Sequence, residues 1–229
     1  MSEEIANTNA DLMASLGIKV NTNNEALDSV ASGDWVPRIQ LQSKSDPKSG
    51  RTEANRFYLI NGSDSINLGK EVLIIPIDWL AQALDTGTLS GENKVSYDFA
   101  SEDFRDIQKR SETVQNSGCM FGATFLVYLP ETNECATVFF GTKSLRNEIP
   151  SIKSRLMKPT VLVQHYIETK KYQWWSFKAE DCATPLAVQD PDVIRRAHEK
   201  FTALPELAAK RALEAKGGGE KDNTTKEER

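Results

Sequence analysis

The sequence predicts a β-rich fold (all-β or α+β): an antiparallel, OB-like, partly closed barrel with inserted helices and disordered termini. Three observations lead there. Apolar runs of strand length recur along the chain. They arrive in pairs joined by turn residues, and no regular β-α-β-α alternation links them. Polar ends frame them: a flexible acidic segment over residues 1–34 and a helical-to-disordered tail over 204–229, with the barrel domain over 35–203. A body of that size suits one domain.

The elements follow in order. In Trp35-Val36-Pro37-Arg38-Ile39-Gln40-Leu41, apolar Trp35, Pro37, Ile39 and Leu41 alternate with the rest, the pattern of a half-buried strand. Pro37 cannot donate to a ladder, so it marks an edge or a strand start. Residues 43–54 read as a polar loop with Lys44, Lys48 and Arg51, and residues 56–60 as a second strand closed by Asn61-Gly62. Residues 71–79 are an apolar strand containing Pro76, residues 80–92 loop out, and residues 94–99 make a short strand. Ser101 caps a helix to about residue 111, with Glu102 and Asp103 where the helix dipole favours anions.

Residues 125–129 and 135–140 form a hairpin around Pro130-Glu131-Thr132-Asn133-Glu134. A helix over 142–156 follows, with Leu145, Ile149, Ile152 and Leu156 on one stripe and Pro150 as a kink or restart. A second hairpin joins 160–167 to 171–178 around Glu168-Thr169-Lys170. Pro191 opens a helix to about residue 202, and the stretch after Pro205 is a further helical candidate. The sum is seven or eight short strands and two or three helices.

Composition narrows the function. No apolar run approaches the roughly 20 residues that cross a bilayer, and Met1-Ser2-Glu3-Glu4 is acidic with no apolar stretch behind it. The three cysteines, Cys119, Cys135 and Cys182, form no CxxC pair, so reduced thiols, no metal, no cofactor and a cytoplasmic setting are expected. The net charge is −5 and mean hydropathy is −0.48, which excludes a uniformly basic protein. Charge is uneven, however. Residues 1–34 carry a net −5, while residues 143–178 hold eight cations against Glu148 and Glu168. A basic block in an acidic protein still makes an anion site, because screening cuts off distant charges within about 10 Å.

The hairpin at 160–178 is the first candidate site. Alternation sends Trp175 and Phe177 to one face and Tyr172, Trp174, Ser176 and Lys178 to the other, more polar and solvent-facing one. Exposed Tyr172 and Trp174 beside Lys170, Lys171 and Lys178 is the composition of a single-strand groove: rings stack on bases and cations meet phosphates. The competing reading buries both tryptophans in the core. The second candidate is Phe140-Gly141-Thr142-Lys143-Ser144, a strand running into a helix start, where Lys143 or Arg146 would contact a backbone phosphate and Lys153 follows as a further cation; the competing reading is an ordinary capped helix start. It is not a Walker A loop, since Thr142 stands where that motif needs glycine. The third comprises Arg38, Lys44 and Arg56, near Lys48 and Arg51. An ordinary polar loop would look the same.

Enzyme readings find little. His165 shares a strand face with Val161, Val163 and Ile167 and reads as packed, and His198 is the only other histidine. Glu168-Thr169-Lys170 fits a short E-x-K nuclease piece, but the nearest upstream aspartate is Asp106, on the predicted helix. No catalytic residue is assigned.

Trp35-Val36-Pro37-Arg38-Ile39-Gln40-Leu41, Gly118-Cys119-Met120-Phe121-Gly122, Phe139-Phe140-Gly141-Thr142-Lys143-Ser144-Leu145-Arg146 and Thr169-Lys170-Lys171-Tyr172-Gln173-Trp174 resemble an uncharacterised bacteriophage-encoded family, over about residues 35–190. That family brings no catalytic residues. The layout also loosely resembles phage single-stranded-DNA-binding proteins of OB fold. Those often end in an acidic, aromatic-tipped tail that recruits replication proteins. Here residues 206–229 balance six acids with six bases, which departs from that pattern. The expectation is a non-enzymatic, sequence-tolerant binder of single-stranded DNA, with RNA as a competing strand, serving phage replication or recombination. The alternative is a protein-interaction or virion-associated structural protein.

Overall fold

The computed structural model describes residues 36–44, 51–89, 91, 93–170, 172–184 and 187–217. The expectations for residues 1–34, Trp35, Lys48, Lys171 and the tail beyond 217 fall outside them. The fold is β-rich. Nine strands form one mixed sheet: β1 (Arg38–Gln42), β2 (Arg56–Asn61), β3 (Asp64–Gly69), β4 (Glu71–Thr86), β5 (Asn93–Ser96), β6 (Cys119–Leu129), β7 (Glu134–Phe140), β8 (Thr160–Glu168) and β9 (Gln173–Asp181). The helices among the described residues are α1 (Glu102–Thr113), α2 (Lys143–Arg146), α3 (Ile149–Lys153), α4 (Pro191–Thr202) and α5 (Leu204–Gly217).

The strand order is β3-β2-β1-β7-β6-β4-β8-β9, with β5 added to β4, and the path runs open from β3 to β9. The expected antiparallel pairing needs one correction: β1 lies parallel to β7, with Arg38 opposite Thr137 and Ile39 opposite Val138. Pro37 stands at the start of this seam. It lacks an N–H but keeps its carbonyl, which accepts from the Thr137 N–H at 2.7 Å and starts the seam.

The sheet coils. Phe57 of β2 meets Phe177 of β9 with ring centroids 5.5 Å apart, although the two strands stand near opposite ends of the path. Phe177 also meets Phe140 of β7, and Phe140 meets Phe125 of β6, each at 5.2 Å. This inner core takes Ile39, Leu59, Val138 and Leu162 from the strands, and Leu145 and Ile152 from α2 and α3. A second core lies on the opposite face, where α1, α4 and α5 lay Phe104, Ile107, Ile194, Phe201 and Leu204 over Ile75, Ile77, Leu126 and Tyr128. The packed body therefore reaches into α5.

Both cores depend on a bulge in β4. Pro76 pairs with Val127 and Asp78 with Leu126, leaving Ile77 without an opposite residue. The bulge switches parity. Val72 and Ile74 face the inner core before it and Trp79 after it, while Ile75, Ile77 and Leu80 face the helices. The predicted loop over 80–92 is corrected accordingly, since β4 continues to Thr86. Its polar residues Gln82 and Asp85 are buried but satisfied: the Thr124 hydroxyl donates to Gln82, and Arg110 of α1 donates to Asp85 at 2.7 Å.

Two other expectations change. The Asn61-Gly62 turn leads into a further strand, β3, whose only apolar residues are Ile66 and Leu68, too short an alternation to mark a strand on its own. The single helix over 142–156 is two short ones, because Pro150 restarts the chain at the second. Ser101 caps α1 as expected, accepting from the Phe104 N–H at 3.2 Å.

Candidate nucleic-acid interface

The β8–β9 hairpin carries the aromatic candidates. Pairing runs from Thr160 opposite Asp181 to Glu168 opposite Gln173. One face continues the inner core through Leu162, Ala179 and Phe177, then emerges at Tyr166 and Trp175, whose rings lie 5.2 Å apart. The other face carries Trp174 opposite Ile167, Ser176 opposite His165, and Lys178 opposite Val163. Trp174 is 37% exposed and Tyr172 is 64% exposed, so both present rings to solvent.

A tight turn holds the tip. The Thr169 N–H donates to the Tyr172 carbonyl at 2.9 Å, and the Tyr172 N–H donates to the Thr169 hydroxyl at 3.0 Å. The Gln173 amide donates to Glu168 at 2.6 Å, so the E-x-K carboxylate is engaged within its own hairpin. Lys170 is exposed on this turn, Lys178 is half-buried, and His165 is half-buried.

One face assignment needs correcting. Ser176, expected toward solvent with Trp174, is buried. The Ser144 hydroxyl of α2 lies 3.3 Å from its own. Farther along, the Ser151 hydroxyl donates to the Ala179 carbonyl at 3.4 Å and Arg155 pairs with Asp181 at 3.1 Å. The two short helices therefore cover the outer side of β9 and leave its tip uncovered.

The basic candidates separate into groups. Lys143 is exposed and Arg146 is half-buried, and both line a cavity of about 340 Å³ with Glu112, Cys119, Gly141 and Thr142. Arg146 lays its guanidinium over the Phe121 ring at 3.9 Å and donates to the Phe121 carbonyl at 3.3 Å and the Gly141 carbonyl at 3.0 Å. Two glycines permit this packing: a side chain at Gly122 would strike the Phe140 carbonyl, and one at Gly141 the Phe139 ring. Burial pushes the Cys119 thiol above its ordinary range, and the neighbouring Asp85 carboxylate adds to that.

Lys153 takes a different place. Its ammonium lies 3.2 Å from the Trp79 ring centroid and caps the inner core, and burial lowers its pKa. Arg38 on β1 and Lys44 just beyond its end are exposed, while Arg56 at the start of β2 pairs with Glu53 at 3.2 Å. Ile39 faces the inner core, so Arg38 leaves the sheet on the opposite face. The structure thus brings Lys143 and Arg146 up to the aromatic hairpin through Ser144. It commits Lys153 to packing and keeps Arg38, Lys44 and Arg56 on a separate strand pair.

No family model, curated protein or solved structure matches the chain.

Sequence reasoning missed three features. The Tyr166–Trp175 pair was hidden because register, not alternation alone, brings the rings together. The cavity unites α1, β6 and the β7–α2 turn, which are distant in sequence. His198 of α4 places Nε2 3.0 Å from the buried Asp78 carboxylate, which also accepts the Trp79 N–H at 2.8 Å. That pair ties α4 to the β4 bulge. None of the described helices is long and apolar enough to cross a membrane.

Proposed function

We propose that the protein is a non-enzymatic, sequence-tolerant binder of single-stranded DNA. The observation that carries this reading is the joint exposure of Tyr172 and Trp174 on a hairpin tip that also bears Lys170. Aromatic faces stack any base, and nearby cations neutralise the backbone. The coiled sheet supports the same reading. Contact between Phe57 and Phe177 curls it toward the barrel-like form that OB-type binders use, and the hairpin extends from that curl. A role in phage replication or recombination, in the host cytoplasm and with replication proteins as partners, belongs to the same proposal.

The test is fluorescence anisotropy with labelled oligo-dT at low salt. Trp174→Ala is expected to weaken binding by about 1–3 kcal/mol, the range for one stacked base. Glu102→Ala, at the first turn of α1 and ten residues from the cavity-lining Glu112, is expected to leave it unchanged. A flat titration with wild-type protein ends the proposal. Purification of a stable protein complex that survives nuclease would instead favour Tyr172 and Trp174 as a protein interface.

A further inference from the structure

We infer that the cavity beside Arg146 is a phosphodiester subsite, in which the backbone of a strand stacked on Trp174 is gripped by Arg146 and Lys143. The inference rests on the single-strand reading and names the residues that hold the charge.

Arg146 is built in rather than solvated. Its Nη1 donates to two backbone carbonyls and its plane rests on Phe121, so its position is fixed before any ligand arrives. Nε and Nη2 have no protein acceptor among the described residues, and neither Arg146 nor Lys143 has a carboxylate within ion-pair distance there. That remaining edge of the guanidinium is the one that takes two oxygens of a single phosphate. Burial opposes the Arg146 cation more strongly than Glu112 supports it, so the charge is under-compensated where it stands. The Thr142 hydroxyl, at the cavity rim, accepts the Leu145 N–H at 3.4 Å and lies 3.2 Å from the Ser144 hydroxyl, so it is held in place within the α2 turn.

Charge selects the kind of phosphate. Two cations and Glu112 border the cavity, a balance of one positive charge. That matches the single negative charge of an internal phosphodiester better than a dianionic terminal phosphate. A cavity of about 340 Å³ also admits more than a phosphate, leaving room for part of a sugar. Position agrees as well. Ser144, next to Lys143, touches Ser176, and Trp174 stands two residues along β9, about 7 Å away.

The experiment combines two readouts on the full-length chain. Oligo-dT affinity is measured across a salt series for wild type, Arg146→Gln, Lys143→Gln and Trp174→Ala. Arg146 Nε is followed by NMR during titration with dimethyl phosphate, its signal assigned by its loss in Arg146→Lys. Each glutamine variant is expected to lower the log–log salt slope by about 0.7, the value for one phosphate on a single strand. Arg146→Gln is also expected to lose about tenfold in affinity. Trp174→Ala is expected to lose affinity with the slope retained. The Nε signal is expected to shift with dimethyl phosphate.

If Arg146→Gln folds poorly, exposed Lys143 gives the slope on its own and the Nε titration uses wild type. Slopes unchanged in both glutamine variants, with Trp174→Ala still weakened, would overturn the subsite and leave strand binding standing. No oligo-dT binding, with a saturable Nε shift, would overturn strand binding and leave a phosphate site. Neither signal would overturn both.

Discussion

Cys135 shows how a single side chain couples burial to pH. It lies on β7 under the helices, and burial pushes its thiol up to about 12, with Glu134 adding repulsion. The folded state therefore favours the neutral thiol. Well below pH 9 both folded and unfolded chains hold the proton and the site contributes no pH dependence. Between 9 and about 12 the unfolded chain loses its proton and the folded chain does not, so stability falls as pH rises. Urea titrations of wild type and Cys135→Ala are expected to show the wild-type advantage shrinking by about 1 kcal/mol between pH 8 and pH 10. A constant difference would mean the thiol ionises as freely in the fold as outside it. Residue-scale features of the candidate site were partly legible. Alternation placed Phe177 inside and Trp174 outside, because β9 is a regular strand at those positions. Ser176 was misplaced, because its cover comes from Ser144 on another element. Lys153 looked like a phosphate contact because nothing local reveals the Trp79 ring beneath it.

At the scale of elements, α1 is held to β4 by more than its apolar face. Arg110 reaches across to the buried Asp85 at 2.7 Å and also pairs with Asp106 at 2.8 Å on its own helix. Asp85 in turn accepts the Gly87 N–H at 2.9 Å where β4 ends. Arg110→Met would leave a buried carboxylate without its cation, a change that costs about 3–5 kcal/mol. The urea midpoint is expected to drop accordingly, and Asp85→Asn in the same background is expected to recover part of the loss. An Arg110→Met midpoint close to wild type would mean that Asp85 is satisfied by other groups. The same segment explains why β4 was read too short. Gln82 and Asp85 break the apolar run that marks a buried strand, and their partners Thr124 and Arg110 are invisible locally. The opposite error produced one helix over 142–156: its stripe of Leu145, Ile149 and Ile152 is real, but a proline at the second turn divides it. Elements with a local signature, such as the Ser101-capped helix and the 130–134 turn, were legible because cap and turn chemistry act over a few residues.

The whole molecule is a coiled sheet between two cores, and its topology was the least legible level. Hairpins could be paired from sequence because their partners are neighbours. The seam between β1 and β7 could not, since Pro37 and Thr137 stand 100 residues apart and neither carries a mark of the other. That seam has a consequence in time. As the chain is synthesised, β1, β2 and β3 emerge well before β7, and Ile39, Phe57 and Leu59 have no inner core to enter. Phe57 waits longer still, for Phe177 on the last strand. Closing such long loops is entropically slow to be rewarded, which places folding in the millisecond-to-second range of non-local β proteins. Amides of β1–β3 are expected to gain exchange protection late in pulse-labelled refolding, after those of the β6–β7 hairpin. Early protection there would mean the first strands are stable alone. On this order the amino-terminal strands spend their first moments as exposed, pairing-competent edges, and a nascent chain stalled before β9 is the form most exposed to aggregation.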